Sequence, residues 1–281
     1  MKSKIINTVT QKYKKIVLII IKNLESSRNI IKLGRPLKYT HSKCLNYLFN
    51  ILSTGLSWNK LGILQNIQID SIRKRCNKWL SLNIFTNAYN SIFEIYRKKC
   101  KNKFDLSNLY IDSTVISNFS GSLDYGYNIK IKNKKSIKIS AIVDDNKIPH
   151  LIKVTPSNPH DAKIMGNPTG FGDMLNEYTF NQEINLIGDK GYIKTSDYIN
   201  NLKNNKKINL ITPYRKNNIT KVLTREEESL LKKRVVVEHF FSILKKSYLR
   251  ISIINDKINK IYYNYIMIAA GLMIQNKLNR F

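Results

Sequence analysis

The sequence predicts an α/β chain in two parts: a small all-α, helix-turn-helix-like domain in front, and a mixed sheet with flanking helices behind it. Two observations carry this. Up to about residue 104 the apolar residues recur at helical spacing, and helix start and stop signals follow each other closely. Beyond residue 105, short apolar runs bounded by turn residues come first, and then alternate with helical stretches. Strands in succession followed by alternating helices and strands indicate a mixed sheet covered by helices.

Residues 1–33 read as a basic helical N-terminal arm, ended by the breaker Gly34-Arg35-Pro36. Thr40 then caps a helix over about 42–53, whose Leu45, Leu48, Phe49 and Leu52 share one face, and Gly55 ends it. Short helices follow over 59–64 and 71–80, then a longer one near 89–99. The helix at 71–80 carries Arg73, Lys74, Arg75 and Lys78, which suits a helix-turn-helix module. A small helical bundle with a solvated basic face fits these residues equally well.

Leu109-Tyr110-Ile111-Asp112 reads as a strand, and Ile137–Val143 and Ile148–Val154 as two more, joined by the turn Asp144-Asp145-Asn146. Ile184–Ile187 and Ile208–Ile211 are further strands, with a helix following Ser196 between them. Thr224 opens a long helix with a capping box to Glu227, expected to reach Leu249. An amphipathic helix over about 258–278 completes the chain, and the Asn/Lys-rich pieces 200–206 and 215–221 read as loops. The expected domains are therefore the arm at 1–33, a helical domain at 34–104, and the α/β domain with the C-terminal helices at 105–281.

Charge narrows the class of partner. Lys and Arg number 48 against 19 Asp and Glu, a formal net charge of +29. An excess this large repels itself in a compact fold and points to a polyanion, nucleic acid before an anionic membrane surface. The abundance of Ile, Asn and Lys matches A/T-rich codons, which accounts for part of the lysine excess but not for the scarcity of acids. The longest apolar stretch, Tyr265–Ile274, falls short of the roughly 20 residues that cross a membrane. The run Ile16–Ile21 reads as helix rather than a signal-peptide core. Cys44, Cys76 and Cys100 are odd in number and widely spaced, which suits reduced thiols inside a cell and no zinc site.

Because acids are scarce, their positions are informative. Glu226, Glu227 and Glu228 favour a helix's first turn, and Asp144 and Asp145 suit a turn. Asp112, Asp189 and Glu238 instead lie within or at the end of apolar segments. Removing a carboxylate from water is costly unless it is compensated. Each could be a lone acid paired with Lys or Arg. Together, two at the ends of strands and one on a helix, they form a candidate site for Mg²⁺ or Mn²⁺, since hard cations take oxygen ligands. On the helix, Leu230, Val237, Phe241, Leu244 and Tyr248 make an apolar stripe. Arg234, Glu238 and Lys245 lie along its flank, within roughly 40° of one another. An ordinary Arg234–Glu238 pair at i, i+4 is the alternative.

These residues resemble a known family, the D-D-E transposases of bacterial insertion sequences, of the insertion-sequence-four/five type with the Y-R-E-K signature. Arg234, Glu238 and Lys245 match the spacing of that signature, with Leu231 in place of its Tyr. Ile111-Asp112-Ser113-Thr114 resembles the segment of the first acid, and Asp189-Lys190-Gly191-Tyr192 that of the second. Lys138–Asp144, His160-Asp161-Ala162, Gly34-Arg35-Pro36 and Thr54–Trp58 also look like family segments. The resemblance implies a ribonuclease H-like fold and a catalytic, metal-binding set of Asp112, Asp189 and Glu238, with Asp112 bridging both ions. It implies a DNA transposase that binds terminal inverted repeats, hydrolyses phosphodiester bonds at the ends and joins the 3′-OH to target DNA. Two ions about 3.5–4 Å apart would serve that chemistry.

Arg234 and Lys245 would hold phosphates or orient Glu238. Arg35 would enter a minor groove or meet a phosphate, and Arg73, Lys74, Arg75 and Lys78 would face DNA. The implied partners are double-stranded DNA and a second copy of the chain in the DNA complex, with no membrane. The implied location is inside the cell at its DNA: cytoplasm or nucleoid, or the nucleus of a eukaryotic host. A ribonuclease H-like nuclease without strand transfer, and a catalytically inactive transposase-derived DNA-binding protein, are the competing readings.

Overall fold

The structure is a computed structural model, and it describes residues 2–26, 38–100, 107–118, 125–129, 132, 134–161, 183–193, 196–214, 223–254 and 259–281. The chain forms two compact units, one of residues 1–100 with 244–281 and the other of residues 101–243.

The first unit is helical. It contains α1 (Lys2–Ser26), α2 (His41–Thr54), α3 (Trp58–Leu64), α4 (Asp70–Ser81) and α5 (Ile84–Cys100) from the front of the chain. Thr40 and Ser57 cap α2 and α3, each accepting a hydrogen bond from the backbone N–H three residues on. Gly55 closes α2 in the left-handed region, at φ 69°.

Two features of this unit differ from the sequence reading. α1 is not a separate arm: Tyr13, Val17 and Ile21, spaced by four, are buried as it packs against α2, α5 and the C-terminal helix. Lys14 Nζ also donates to Asn46 Oδ1 of α2 at 2.8 Å. The C-terminal helix, designated α10 (Asn259–Leu278), is buried on nearly every side and packs against α5, α1 and α4. A helix apolar all round belongs in a core rather than on a surface. It therefore serves the helical unit and not the α/β one.

The second unit is built on a six-stranded sheet. Its strands are β1 (Asn108–Ser117), β2 (Gly126–Asn128), β3 (Lys134–Asp144), β4 (Pro149–Pro156), β5 (Ile184–Ile187) and β6 (Ile208–Ile211). β1 is central, antiparallel to β3 on one side and parallel to β5 on the other. β6 extends the parallel half, while β2 and β4 share the far edge of β3. Helix α6 (Ser196–Lys206) spans the segment expected as a loop at 200–206 and links β5 to β6. Leu202 from it joins Leu109, Ile111, Ile142, Leu186 and Tyr192 in one apolar cluster on the sheet. A mixed sheet with this order and flanking helices is the ribonuclease H-like arrangement.

The helix expected from Thr224 to Leu249 is divided into α7 (Arg225–Lys233), α8 (Val235–Ser247) and α9 (Leu249–Ser252). The capping box at Thr224 and Glu227 is present. The first break falls at Arg234, where the Arg234 N–H donates to the Leu231 carbonyl and the Val237 N–H to that of Arg234. These i, i+3 bonds tighten the turn, a local departure that often marks a functional position within a helix. Residues 244–247 of α8, and α9, belong to the helical unit.

Candidate active site

Strand register brings the two aspartates together. β1 and β5 run parallel with Tyr110 opposite Ile187. Asp112 lies two residues further along β1, and Asp189 two residues past Ile187, just beyond the end of β5, so the two acids stand at the same end of this strand pair. The Asp112 carboxyl is held above its ordinary range, chiefly by burial. The Ser113 N–H and Arg234 oppose that shift and the charge of Asp189 adds to it.

Each carboxylate is held by the backbone. Asp112 Oδ1 accepts from the Ser113 N–H at 2.8 Å. Asp189 follows Gly188 at the end of β5 and caps a single 3₁₀ turn, Lys190–Tyr192, its Oδ1 accepting from the Gly191 N–H at 2.8 Å. The Asp-Lys-Gly-Tyr segment is thus a capped turn that fixes its first carboxylate.

Arg234 reaches both other acids. Its guanidinium donates to Asp112 Oδ2 at 2.7 Å and to Glu238 Oε1 at 3.0 Å. The helical i, i+4 pair is present, and its arginine also spans to the central strand. Glu238 is the most open of the three acids, its side chain 54% exposed.

Asp161, the acid of His160-Asp161-Ala162, has no role in the sequence reading and stands beside this group. Its Oδ1 accepts from Ser113 Oγ and from Lys138 Nζ, each at 2.8 Å. Lys138 also donates to the Pro159 carbonyl at 2.6 Å. Tyr192 is fully buried nearby. Burial, followed by the charges of Asp161 and Asp112, pushes its phenol far above the ordinary range, so it is a neutral hydroxyl. Gly191 leaves room between two acids: an added side-chain carbon would come 2.9 Å from Asp189 Oδ1 and 3.3 Å from Asp161 Oδ2. The available signal for Asp161 is the scarcity of acids together with a lysine, Lys138, inside the apolar alternation of β3.

The donors are carboxylate oxygens, the chemistry that hard divalent cations select. Among the described residues, no three His, Cys, Asp or Glu side chains stand close enough to hold a metal ion. The Arg234 guanidinium lies between Asp112 and Glu238 and bonds to both. The residue types suit a hard cation, while this guanidinium, bonded to two of the three acids, supplies the positive charge beside them.

The remaining candidates lie in the helical unit or outside the described residues. Arg35 is outside them. Lys74 and Lys78 are exposed on α4, while Arg73 pairs with Asp70 at 2.9 Å. Arg75 turns inward, donating to the Tyr39 carbonyl at 2.6 Å and thereby tying α4 to the entrance of α2. Lys245 is half-buried, and burial lowers the pKa of its ammonium. Asp144 keeps its turn role: its Oδ1 accepts from the N–H groups of Asn146 and Ile148, and Oδ2 meets His150 Nε2 at 3.2 Å. Among the described residues no helix is long and apolar enough to cross a membrane.

A family model described as a transposase DDE domain matches residues 103–261, more than half of the chain. No curated protein and no solved structure gives a significant match.

Proposed function

The chain belongs to the transposase DDE-domain family, and on that premise we propose that it is a DNA transposase of the Y-R-E-K branch. In this reading it binds the terminal inverted repeats of its element, hydrolyses phosphodiester bonds at the ends and joins the freed 3′-OH to target DNA. Asp112, Asp189 and Glu238 are the proposed metal ligands. The observation that supports this is that Asp112 on β1 and Asp189 just beyond β5 stand at the same end of a parallel strand pair, with Arg234 connecting Asp112 to Glu238.

Two Mg²⁺ or Mn²⁺ ions, when bound, would activate the attacking oxygen and stabilise the leaving one. The protein's part is positioning. The Ser113 and Gly191 N–H groups hold one oxygen of Asp112 and of Asp189; the other oxygen of Asp112 accepts from Arg234 and would have to exchange that bond to ligate an ion. Arg234 restrains Glu238, and its guanidinium is suited to grip a phosphate once released from the carboxylates. Synapsis of two ends calls for a homodimer in the DNA complex. Lys74, Lys78 and Arg73 on α4, with Arg35, are the proposed contacts to end DNA. The protein would act inside the cell, at its DNA.

The test is cleavage of a labelled duplex carrying the element's own end, with Mg²⁺ or Mn²⁺. Asp112→Ala should abolish cutting while end binding by gel shift stays near that of the parent. Cutting that survives Asp112→Ala sinks the ligand assignment. One observation favours a second reading, an inactive DNA-binding derivative: Arg234 occupies the space between two proposed ligands. Specific end binding by the parent, with no cutting at any metal concentration, would establish that reading. Cutting without joining of the 3′-OH would instead mark a nuclease.

A further inference from the structure

We infer that Asp161 is a positioning residue that braces both aspartate-bearing segments of the site, acting through Ser113 and the turn at Gly191. The inference rests on the reading of Asp112 and Asp189 as cation ligands.

Ser113 joins two layers of the structure. Its N–H donates to Asp112 Oδ1, and its hydroxyl donates to Asp161 Oδ1, each at 2.8 Å. Successive residues of a strand point to opposite faces of the sheet. Asp161 therefore grips β1 from the face opposite Asp112, and fixes the pleat that aims the Ser113 N–H at the proposed ligand. The other Asp161 oxygen, Oδ2, lies against Gly191, whose N–H holds Asp189 Oδ1. One carboxylate thus bonds to the side chain of Ser113 and stands beside Gly191, the two residues whose N–H groups orient the two proposed ligands.

Lys138 anchors this brace. Its side chain is only 6% exposed, and its ammonium is satisfied by Asp161 Oδ1 and the Pro159 carbonyl. For stability alone, an apolar pair of similar size would serve such a position as well or better, because both charges are desolvated. A charged pair fixes geometry more narrowly, and Asp161 and Lys138 lie where geometry governs ligation. Partners that orient metal ligands typically change metal affinity about 10- to 100-fold when removed.

The experiment is Mn²⁺ binding to the full-length protein without DNA, followed by electron paramagnetic resonance, with a thermal melt of every variant. Asp161→Asn and Ser113→Ala should each raise the Mn²⁺ Kd about 10- to 100-fold, and Ser113→Thr, which keeps the hydroxyl, should restore the parent value. Ser113→Ala leaves no lone buried charge, so it keeps the test decisive if Asp161→Asn fails to fold. Leu202→Ala, in the apolar cluster on the same sheet, should lower the melting temperature and leave the Kd in place. A Leu202→Ala shift as large as those of Asp161→Asn and Ser113→Ala would reduce Asp161 to a structural role and overturn the inference. So would parent-like binding in Asp161→Asn and Ser113→Ala alongside lost binding in Asp112→Asn, with the ligand reading intact. Parent-like binding in Asp112→Asn would remove the ligand reading itself, and this inference with it.

Discussion

Asp112 shows how one side chain is set between opposing forces. Burial and the neighbouring Asp189 favour its protonated form, while the Ser113 N–H and Arg234 favour the carboxylate, and the first group prevails. The folded chain therefore holds that proton more tightly than the unfolded chain does. The favourable contribution is complete below the ordinary carboxylate value of 3.8 and is lost as pH rises through the raised folded value. Asp112→Asn keeps a side chain of the same shape with no charge to desolvate. In metal-free buffer its melting temperature, relative to the parent, should thus be higher at pH 7 than at pH 3.5. A relative stability that falls with rising pH would show that the Arg234 ion pair outweighs burial. The sequence exposes this residue through an acid at the end of an apolar strand. Asp161 is harder to read: Pro159-His160-Asp161 sits in no apolar run and its lysine partner lies 23 positions away, so only the scarcity of acids and the lysine within β3 point to it.

At the scale of elements, legibility follows local signal. β1, β3, β4, β5 and β6 are apolar runs closed by turn residues, and each lies near its expected bounds. β2 is three residues, Gly126-Tyr127-Asn128, paired only to Lys134–Ser136 at the end of β3, and has no apolar run of its own. The break at Arg234 contains neither Pro nor Gly, so nothing local announces it. α10 reads as amphipathic in the sequence, yet the structure buries even its polar residues Asn264 and Gln275. They donate to the Lys260 carbonyl and to Asn279 Oδ1 within or just beyond their own helix. The close approach of α1 to α10 gives this part a decisive test. A side-chain carbon at Gly271 would stand 2.5 Å from the Tyr13 ring. Overpacking of this kind costs about 1–3 kcal/mol, whereas Gly→Ala in an unhindered helix gains about 1 kcal/mol. Gly271→Ala should therefore lower the melting temperature, and combination with Tyr13→Leu should cost less than the two changes separately. A stabilised Gly271→Ala would mean that α1 does not press on α10 there.

Across the whole molecule, the net charge of +29 and the acidic site make opposite demands on one polyanion. If the chain acts as proposed, DNA must be attracted by it and yet approach a group of carboxylates. In the proposed function, Arg234 reduces that repulsion next to Asp112 and Glu238, while cations elsewhere supply affinity. Binding and chemistry should then separate experimentally. Affinity for DNA should fall steeply with salt, by about 10³–10⁵ between about 50 and 200 mM if roughly 6–10 phosphates are neutralised. Asp112→Ala should leave that slope unchanged. Arg73→Gln, Lys74→Gln and Lys78→Gln together should flatten it by about one unit for each phosphate no longer neutralised, since Lys74 and Lys78 are exposed on α4 and Arg73 meets Asp70 at the surface. Arg75→Gln would be a poor probe, because that side chain holds the Tyr39 carbonyl and its removal would disturb the fold. The slope of the triple variant thus decides between the two readings of the front helices. A flatter line places α4 against phosphate, and an unchanged line makes α4 the solvated basic face of a helical bundle and moves DNA contact to other cations of the chain.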